Sequence, residues 1–397
     1  MNKSHLIFFH GIDISVITPY NRSMNLQSSK KKYILVDVIS PTEVKTDAEI
    51  HLKETVSLIN TFGGGIIDQI IQRREHPHPR TYMGIGKATE IAELIKTRGI
   101  DTVIVNGVVK STQLFHLTQM YWEVNPNIEV WDRVDLILHI FEKHARTAEA
   151  KLQIALAKMR HMGPRMYGLS EELGRQAGGI GTRGIGETNV ELMKRHWRDQ
   201  IKSIQDQLNK ITKTKTDQLE RRKRQGFKTA SIVGYTNAGK TSLFNILTNK
   251  KKLAKNVLFA TLDSVVGEMY LPKIHEQMLI TDTIGFIREL PPSLIEAFKS
   301  TLLESIHADV LIHVIDASDP QMHDKIQTVQ TVLTELGIEN KPIINVYNKA
   351  DNLTEATIID LKSKDGVVIS AKELAGIEVL IKTIQTNLFS SNTAPHA

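Results

Sequence analysis

From Tyr33 onward the apolar positions fall into short blocks separated by longer segments that are apolar on one side only. Tyr33-Ile-Leu-Val-Asp-Val38 reads as a strand, 47–60 as a helix with Ile50, Val56 and Ile59 on one side, and 65–72 as a second strand. The alternation continues through a helix at 86–97, a strand at 102–106, a helix at 111–121 and a strand at 128–131. Strands spaced by helical patterns predict a small parallel α/β subdomain over residues 33–133.

The period then changes. Residues 134–168 are helical in pattern, with Ala148, Ala150, Leu152, Ile154, Ala155, Leu156 and Met159 forming an apolar stripe. Glycine interrupts at Gly178-Gly-Ile-Gly-Thr-Arg183-Gly-Ile-Gly-Glu187, and a second long helix from about Thr188 to Arg224 carries Leu192, Trp197, Ile201, Leu208 and Leu219 near heptad spacing. Residues 134–228 therefore predict an antiparallel helical hairpin with a flexible, glycine-rich tip. That tip carries Arg175 and Arg183 and little apolar bulk, which suits close approach to RNA.

After Lys228 the strand–helix alternation returns, and with it a motif. The buried run Ala230–Val233 passes into Gly234-Tyr235-Thr236-Asn237-Ala238-Gly239-Lys240-Thr241, which opens an amphipathic helix through Leu243, Phe244 and Ile246. Such a loop wraps its backbone N–H groups around phosphates and adds the positive end of the helix. Lys240 is placed to reach the β- and γ-phosphates, and the Thr241 hydroxyl to enter a Mg2+ shell.

Three further pieces follow in the order a GTPase requires. Phe259-Ala260-Thr261-Leu262-Asp263 supplies Thr261 as a second candidate magnesium ligand that also senses the γ-phosphate. Asp282-Thr283-Ile284-Gly285 ends a strand, with Asp282 as a metal residue and the Gly285 N–H facing the γ-phosphate. Asn348-Lys349-Ala350-Asp351 follows the strand 342–347. The Asp351 carboxylate accepts two parallel hydrogen bonds from guanine that adenine lacks, Asn348 ties this loop to the phosphate loop, and Ser370-Ala371-Lys372 offers backbone N–H groups to guanine O6. The expected catalytic groups are Lys240, Thr261 and Gly285. Phe286 stands where many GTPases place a water-orienting glutamine, so turnover alone should be slow, on the order of 10⁻⁴ to 10⁻² s⁻¹. The expected class is a P-loop GTPase with a doubly wound sheet over 229–389, preceded by the α/β subdomain and the hairpin, with 1–32 a poorly ordered extension and 390–397 a disordered tail.

Composition sharpens this picture. There is no cysteine, which excludes disulfides and thiolate metal sites, and no apolar run approaches membrane-spanning length, so a cytoplasmic protein is expected. Residues 1–228 carry 35 basic and 25 acidic side chains, against 15 and 19 in 229–397. A basic front half joined to an acidic nucleotide-binding half points to a polyanionic partner. The turn Pro79–Lys87 lacks the spacing of a phosphate loop and reads as structural.

The motifs at 234–242, 259–263, 282–286 and 348–351, together with the glycine-rich 178–187 segment, resemble those of HflX-type GTPases from about Tyr33 to Leu388. The resemblance implies a translation-associated GTPase that binds and is stimulated by the large ribosomal subunit and splits stalled or idle ribosomes, its N-terminal half and tip on ribosomal RNA. A monomer is expected. Two departures, Ile185 where the family usually has proline and Ser264–Gly267 after Leu262-Asp263, bear on RNA contact and switch coupling. The competing reading is an RNA-binding or assembly factor in which GTP hydrolysis is incidental.

Overall fold

Continuous apolar strands need helices on both faces, and Tyr33 to Val36 are buried in just this way. The computed structural model describes residues 8–9, 12–13, 31–42, 45–176, 183–250, 258–259, 264–288, 290–298, 301–364 and 366–389. Strand β1 (Lys32–Ile39) sits inside a four-stranded parallel sheet with β2 (Gly65–Arg73), β3 (Thr102–Val105) and β4 (Glu129–Asp132), in the order β2-β1-β3-β4. Helices α1 (Lys45–Phe62), α2 (Ile85–Arg98) and α3 (Ser111–Trp122) make the crossovers, close to the spans the periodicity gave. The Pro79–Lys87 turn is structural: Thr81, Tyr82 and Met83 are buried, and the Thr81 hydroxyl donates to the Met83 carbonyl at 2.6 Å.

The helical stretch expected at 134–168 is two helices. Asp132 caps α4 (Arg133–His144) by accepting the Asp135 N–H at 2.8 Å, and the chain turns extended at Ala145 before α5 (Ala148–Gln176). α4 packs Leu136, Ile137, Ile140 and Phe141 into the core of the first sheet. α5 pairs with α6 (Arg183–Arg224) as the expected hairpin, held by the Trp197 indole N–H donating to the Met159 carbonyl at 3.0 Å. Gly163 lies under that ring, where a Cβ would come within 3.0 Å of Trp197 Nε1. α6 begins about one turn earlier than expected, so Arg183 to Glu187 of the anticipated loop are helical backbone. Residues 178–182 of the tip lie outside the described residues.

A buried ionic cluster fastens α5 to α4. Asp132 and Asp135 accept from His161 at 3.2 and 3.4 Å, and Arg165 bonds to both carboxylates. Asp132, Asp135 and His161 bring their polar atoms close enough to hold a metal ion, but with Arg165 paired to both carboxylates they form an ion network. Burial disfavours the charged imidazole, but Asp132 and Asp135 outweigh it and push its pKa up to about 9. A raised folded-state pKa contributes stability that is complete below the ordinary value of 6.5 and is lost as pH rises through 9. The expected loss is on the order of 3 kcal/mol between pH 6.5 and 9.5. His161→Gln should flatten urea-denaturation stability in that window, and an unchanged alkaline decline would remove His161 as its cause.

The second sheet is built from β5 (Lys228–Val233), β6 (Val265–Leu271), β7 (Glu276–Asp282), β8 (Val310–Asp316), β9 (Ile343–Asn348) and β10 (Val367–Val368), in the order β10-β9-β8-β5-β7-β6. All neighbours are parallel except β6 and β7. β6 escapes the sequence reading because its buried positions, Gly267, Met269 and Leu271, alternate with exposed Glu268 and Tyr270, and the glycine dilutes the apolar signal. The chain leaves β5 toward β7 on one side and reaches β8 on the other, so the carboxyl end of β5 is a topological switch point, where open α/β sheets bind ligands. Helix α7 (Lys240–Thr248) starts there. Among the described residues no helix is long and apolar enough to cross a membrane.

The two sheets share apolar packing. The Phe141 ring meets Phe259 and Phe298 edge-on at 4.6 and 5.0 Å, and the Thr301 hydroxyl donates to Gln153 at 2.9 Å.

Candidate nucleotide site

The phosphate loop depends on two glycines for different reasons. Gly234 has φ 146°, and a Cβ there would run into the Val314 carbonyl; Gly239 has φ 97°, and a Cβ would strike the Asn348 amide. Between them Asn237 sits exposed with φ 62°, a left-handed conformation that asparagine tolerates. Lys240 is 6% exposed and donates to the Tyr235 carbonyl at 2.6 Å; burial, only partly opposed by Asp282, pushes its pKa down to about 8. The buried Thr236 hydroxyl has no hydrogen-bond partner among the described residues.

The Thr241 hydroxyl donates to Asp282 Oδ2 at 2.9 Å, and Asp282 is fully buried at the end of β7. A hydroxyl and a carboxylate side by side are the hard oxygen donors that suit Mg2+, so these two residues fit that ion. Thr261, the third expected ligand, lies outside the described residues with Ala260, Leu262 and Asp263.

After Asp282 the Thr283 hydroxyl donates to the Ile232 carbonyl at 2.6 Å. Pairing with the phosphate loop resumes one residue out of step, with Thr236 N–H donating to Phe286 O at 2.7 Å and Phe286 N–H to Gly234 O at 3.1 Å. The bulge in between presses Gly285 toward Lys240. Ile284 and Phe286 are buried, and the Phe286 ring belongs to the core shared with Phe298. It therefore offers no polar group to an attacking water.

The base-reading pieces converge on Asn348. Its Nδ2 donates to the Ala238 carbonyl at 2.8 Å, and its Oδ1 accepts the Ala371 N–H at 3.0 Å, so one side chain ties the phosphate loop to the 370–372 loop. Asp351 accepts the Ser370 hydroxyl at 2.7 Å and lies 3.7 Å from the Lys372 ammonium; the Ser370 bond, ahead of Lys372, holds its carboxyl below the usual range. Ala350 N–H donates to Ile369 O at 3.1 Å. Lys349, at φ 66°, donates to Asp316 at 2.6 Å.

The sequence-derived residues thus gather at the carboxyl ends of β5, β7, β9 and β10, with exceptions. Phe259 turns its ring to Phe141, and the Tyr235 hydroxyl leaves the pocket for Glu54 on α1. The Ser370 and Ala371 N–H groups, expected on guanine O6, are bonded to Ala375 O and Asn348 Oδ1. Sequence reasoning missed Asp316, although an aspartate ending an apolar strand was the available signal. It also missed Glu54 and Arg288, which no local pattern marks.

Known proteins match the whole arrangement. Residues 49–142 match the family described as GTP-binding GTPase N-terminal, 144–222 the GTP-binding GTPase middle region, and 229–349 the 50S ribosome-binding GTPase family. The chain is 41% identical to GTPase HflX of Caldanaerobacter subterraneus over 92% of this chain and 82% of that protein. It is 39% identical to GTPase HflX of Escherichia coli over 87% of this chain and 80% of that one. The crystal structure of SsGBP with GDP covers 91% of this chain and 99% of its own, at TM-score 0.51 and 25% identity, and has the same fold. With its G motifs assembled at one switch point and relatives of this similarity over most of its length, the chain belongs to the HflX family of GTPases.

Proposed function

We propose that this chain is a magnesium-dependent GTPase switch that binds the large ribosomal subunit and uses GTP binding and hydrolysis to split or rescue stalled or idle ribosomes. The observation that carries the nucleotide reading is Asn348, which bonds the phosphate loop and the base loop at once. Asp351 reads guanine, Lys240 and Gly285 meet the γ-phosphate, and Thr241, Asp282 and Thr261 hold the metal. Mg2+ held by these residues would offset the negative charge of the phosphates. With Phe286 turned into the core, water positioning falls to a partner, which is why turnover alone should be slow.

The ribosomal part of the reading is supported by the match of residues 229–349 to the 50S ribosome-binding GTPase family and by the basic front half. From Val190 to Lys228 twelve Lys and Arg stand against five Asp and Glu, on a helix exposed along much of its length. Such a surface attracts a phosphate backbone. The test is the affinity for purified large subunits with a GTP analogue against GDP. A switch requires tighter binding in one state, and equal affinities would favour the incidental-hydrolysis reading.

A further inference from the structure

Tyr235 occupies the second position of the phosphate loop, yet its side chain serves a different contact. Its hydroxyl donates to Glu54 Oε1 on α1 and accepts the Arg288 backbone N–H at 2.8 Å, so one phenol joins the N-terminal sheet's helix to the segment after Gly285. The second Glu54 oxygen pairs with Arg133 at the start of α4, which also donates to Thr55 and Asn106. The Tyr235 carbonyl holds Lys240, and Lys325 lies 4.9 Å over its ring. Apolar packing alone, Phe141 on Phe259 and Phe298, would join the two halves. A buried polar chain adds directional bonds that specify one relative position.

Lys240 crowds Gly285 in that position. A Cβ at Gly285 would lie 2.8 Å from Lys240 Nζ. A γ-phosphate that takes hydrogen bonds from both the Gly285 N–H and Lys240 has to be admitted to this narrow space. Making that room by moving residues 285–288 would draw the Arg288 N–H off the Tyr235 hydroxyl.

We propose that Glu54 and Tyr235 are positioning residues that couple nucleotide state to the N-terminal half: the Glu54–Tyr235–Arg288 chain holds the switch in its diphosphate-compatible position, and a bound triphosphate releases Glu54. The proposal rests on the assignment of Lys240 and Gly285 to the γ-phosphate. Coupling is reciprocal, so a partner that moves α1 changes the preference for GTP over GDP by the same factor.

The experiment measures dissociation constants of a fluorescent, non-hydrolysable GTP analogue and of fluorescent GDP for the full chain with Mg2+. Tyr235→Phe removes one oxygen and keeps the ring, so the core survives; it should raise the preference for the analogue over GDP about 5- to 10-fold. Glu54→Ala should do the same, and the double variant should gain no more than either single one. General loosening lowers both affinities together and leaves the ratio alone. If Glu54→Ala fails to fold, Tyr235→Phe decides. An unchanged ratio in Tyr235→Phe, or single effects that multiply in the double variant, would overturn the coupling. Lys240→Ala keeps the two failures apart: if it loses analogue binding while Tyr235→Phe leaves the ratio unchanged, only the coupling is wrong. If it binds analogue as the parent does, the γ-phosphate assignment goes and the coupling with it.

Discussion

Asp351→Asn should lower GTP affinity by a factor on the order of 10² to 10⁴ and improve binding of xanthosine triphosphate. Guanine presents N1–H and a 2-amino group as two parallel donors, and a carboxylate accepts both. Each charge-assisted hydrogen bond lost is worth about 1.5–3 kcal/mol, and the amide places a donor against the amino group. Xanthine carries an oxygen there, which the amide N–H₂ suits. The Ser370 hydroxyl, 2.7 Å from Asp351 Oδ1, can donate equally to the amide oxygen, so the loop should keep its shape. Competition against a fluorescent guanine nucleotide measures both changes. Unaltered GTP affinity would show that Asp351 does not read the base.

The second large effect is expected at Gly285. A methyl group there would lie 2.8 Å from Lys240 Nζ, 2.9 Å from Thr236 Cγ2 and 3.0 Å from Thr236 Cα. Lys240 is a flexible side chain and can swing aside, but Thr236 Cα belongs to the phosphate-loop backbone and cannot. Gly285→Ala should therefore keep GDP binding within a few-fold of the parent. Turnover in the presence of large subunits should fall by about 10² to 10³, the usual effect of losing one positioned N–H donor on developing charge. Steady-state phosphate release reads the loss, and full turnover in this variant would remove Gly285 from the switch.

The fold was legible in the sequence where burial is continuous. Tyr33 to Val36, Ala230 to Val233 and Val310 to Val314 are buried throughout, and apolar but for Ser231 and His313, because helices cover both faces of their sheets. The nucleotide motifs were legible because backbone geometry restricts the residue at each place: Gly234 and Gly239 have no substitute where Val314 and Asn348 close over them. Elements with one buried face were harder to see. Helix 355–363 has only Leu361 buried, and the break at 145–147 carries neither glycine nor proline to mark it. Contacts between distant segments were not legible at all. Glu54 and Tyr235 are far apart in the chain, and nothing local to Glu54 distinguishes it from a solvated helix carboxylate.

The most direct test is co-sedimentation of the full chain with purified large ribosomal subunits, in the presence of Mg2+ and either a non-hydrolysable GTP analogue or GDP. Association at least about tenfold tighter with the analogue is the expected result, since a nucleotide moves a switch only through differential affinity. Equal association in the two states, or none in either, would contradict a GTP-controlled hold on the subunit.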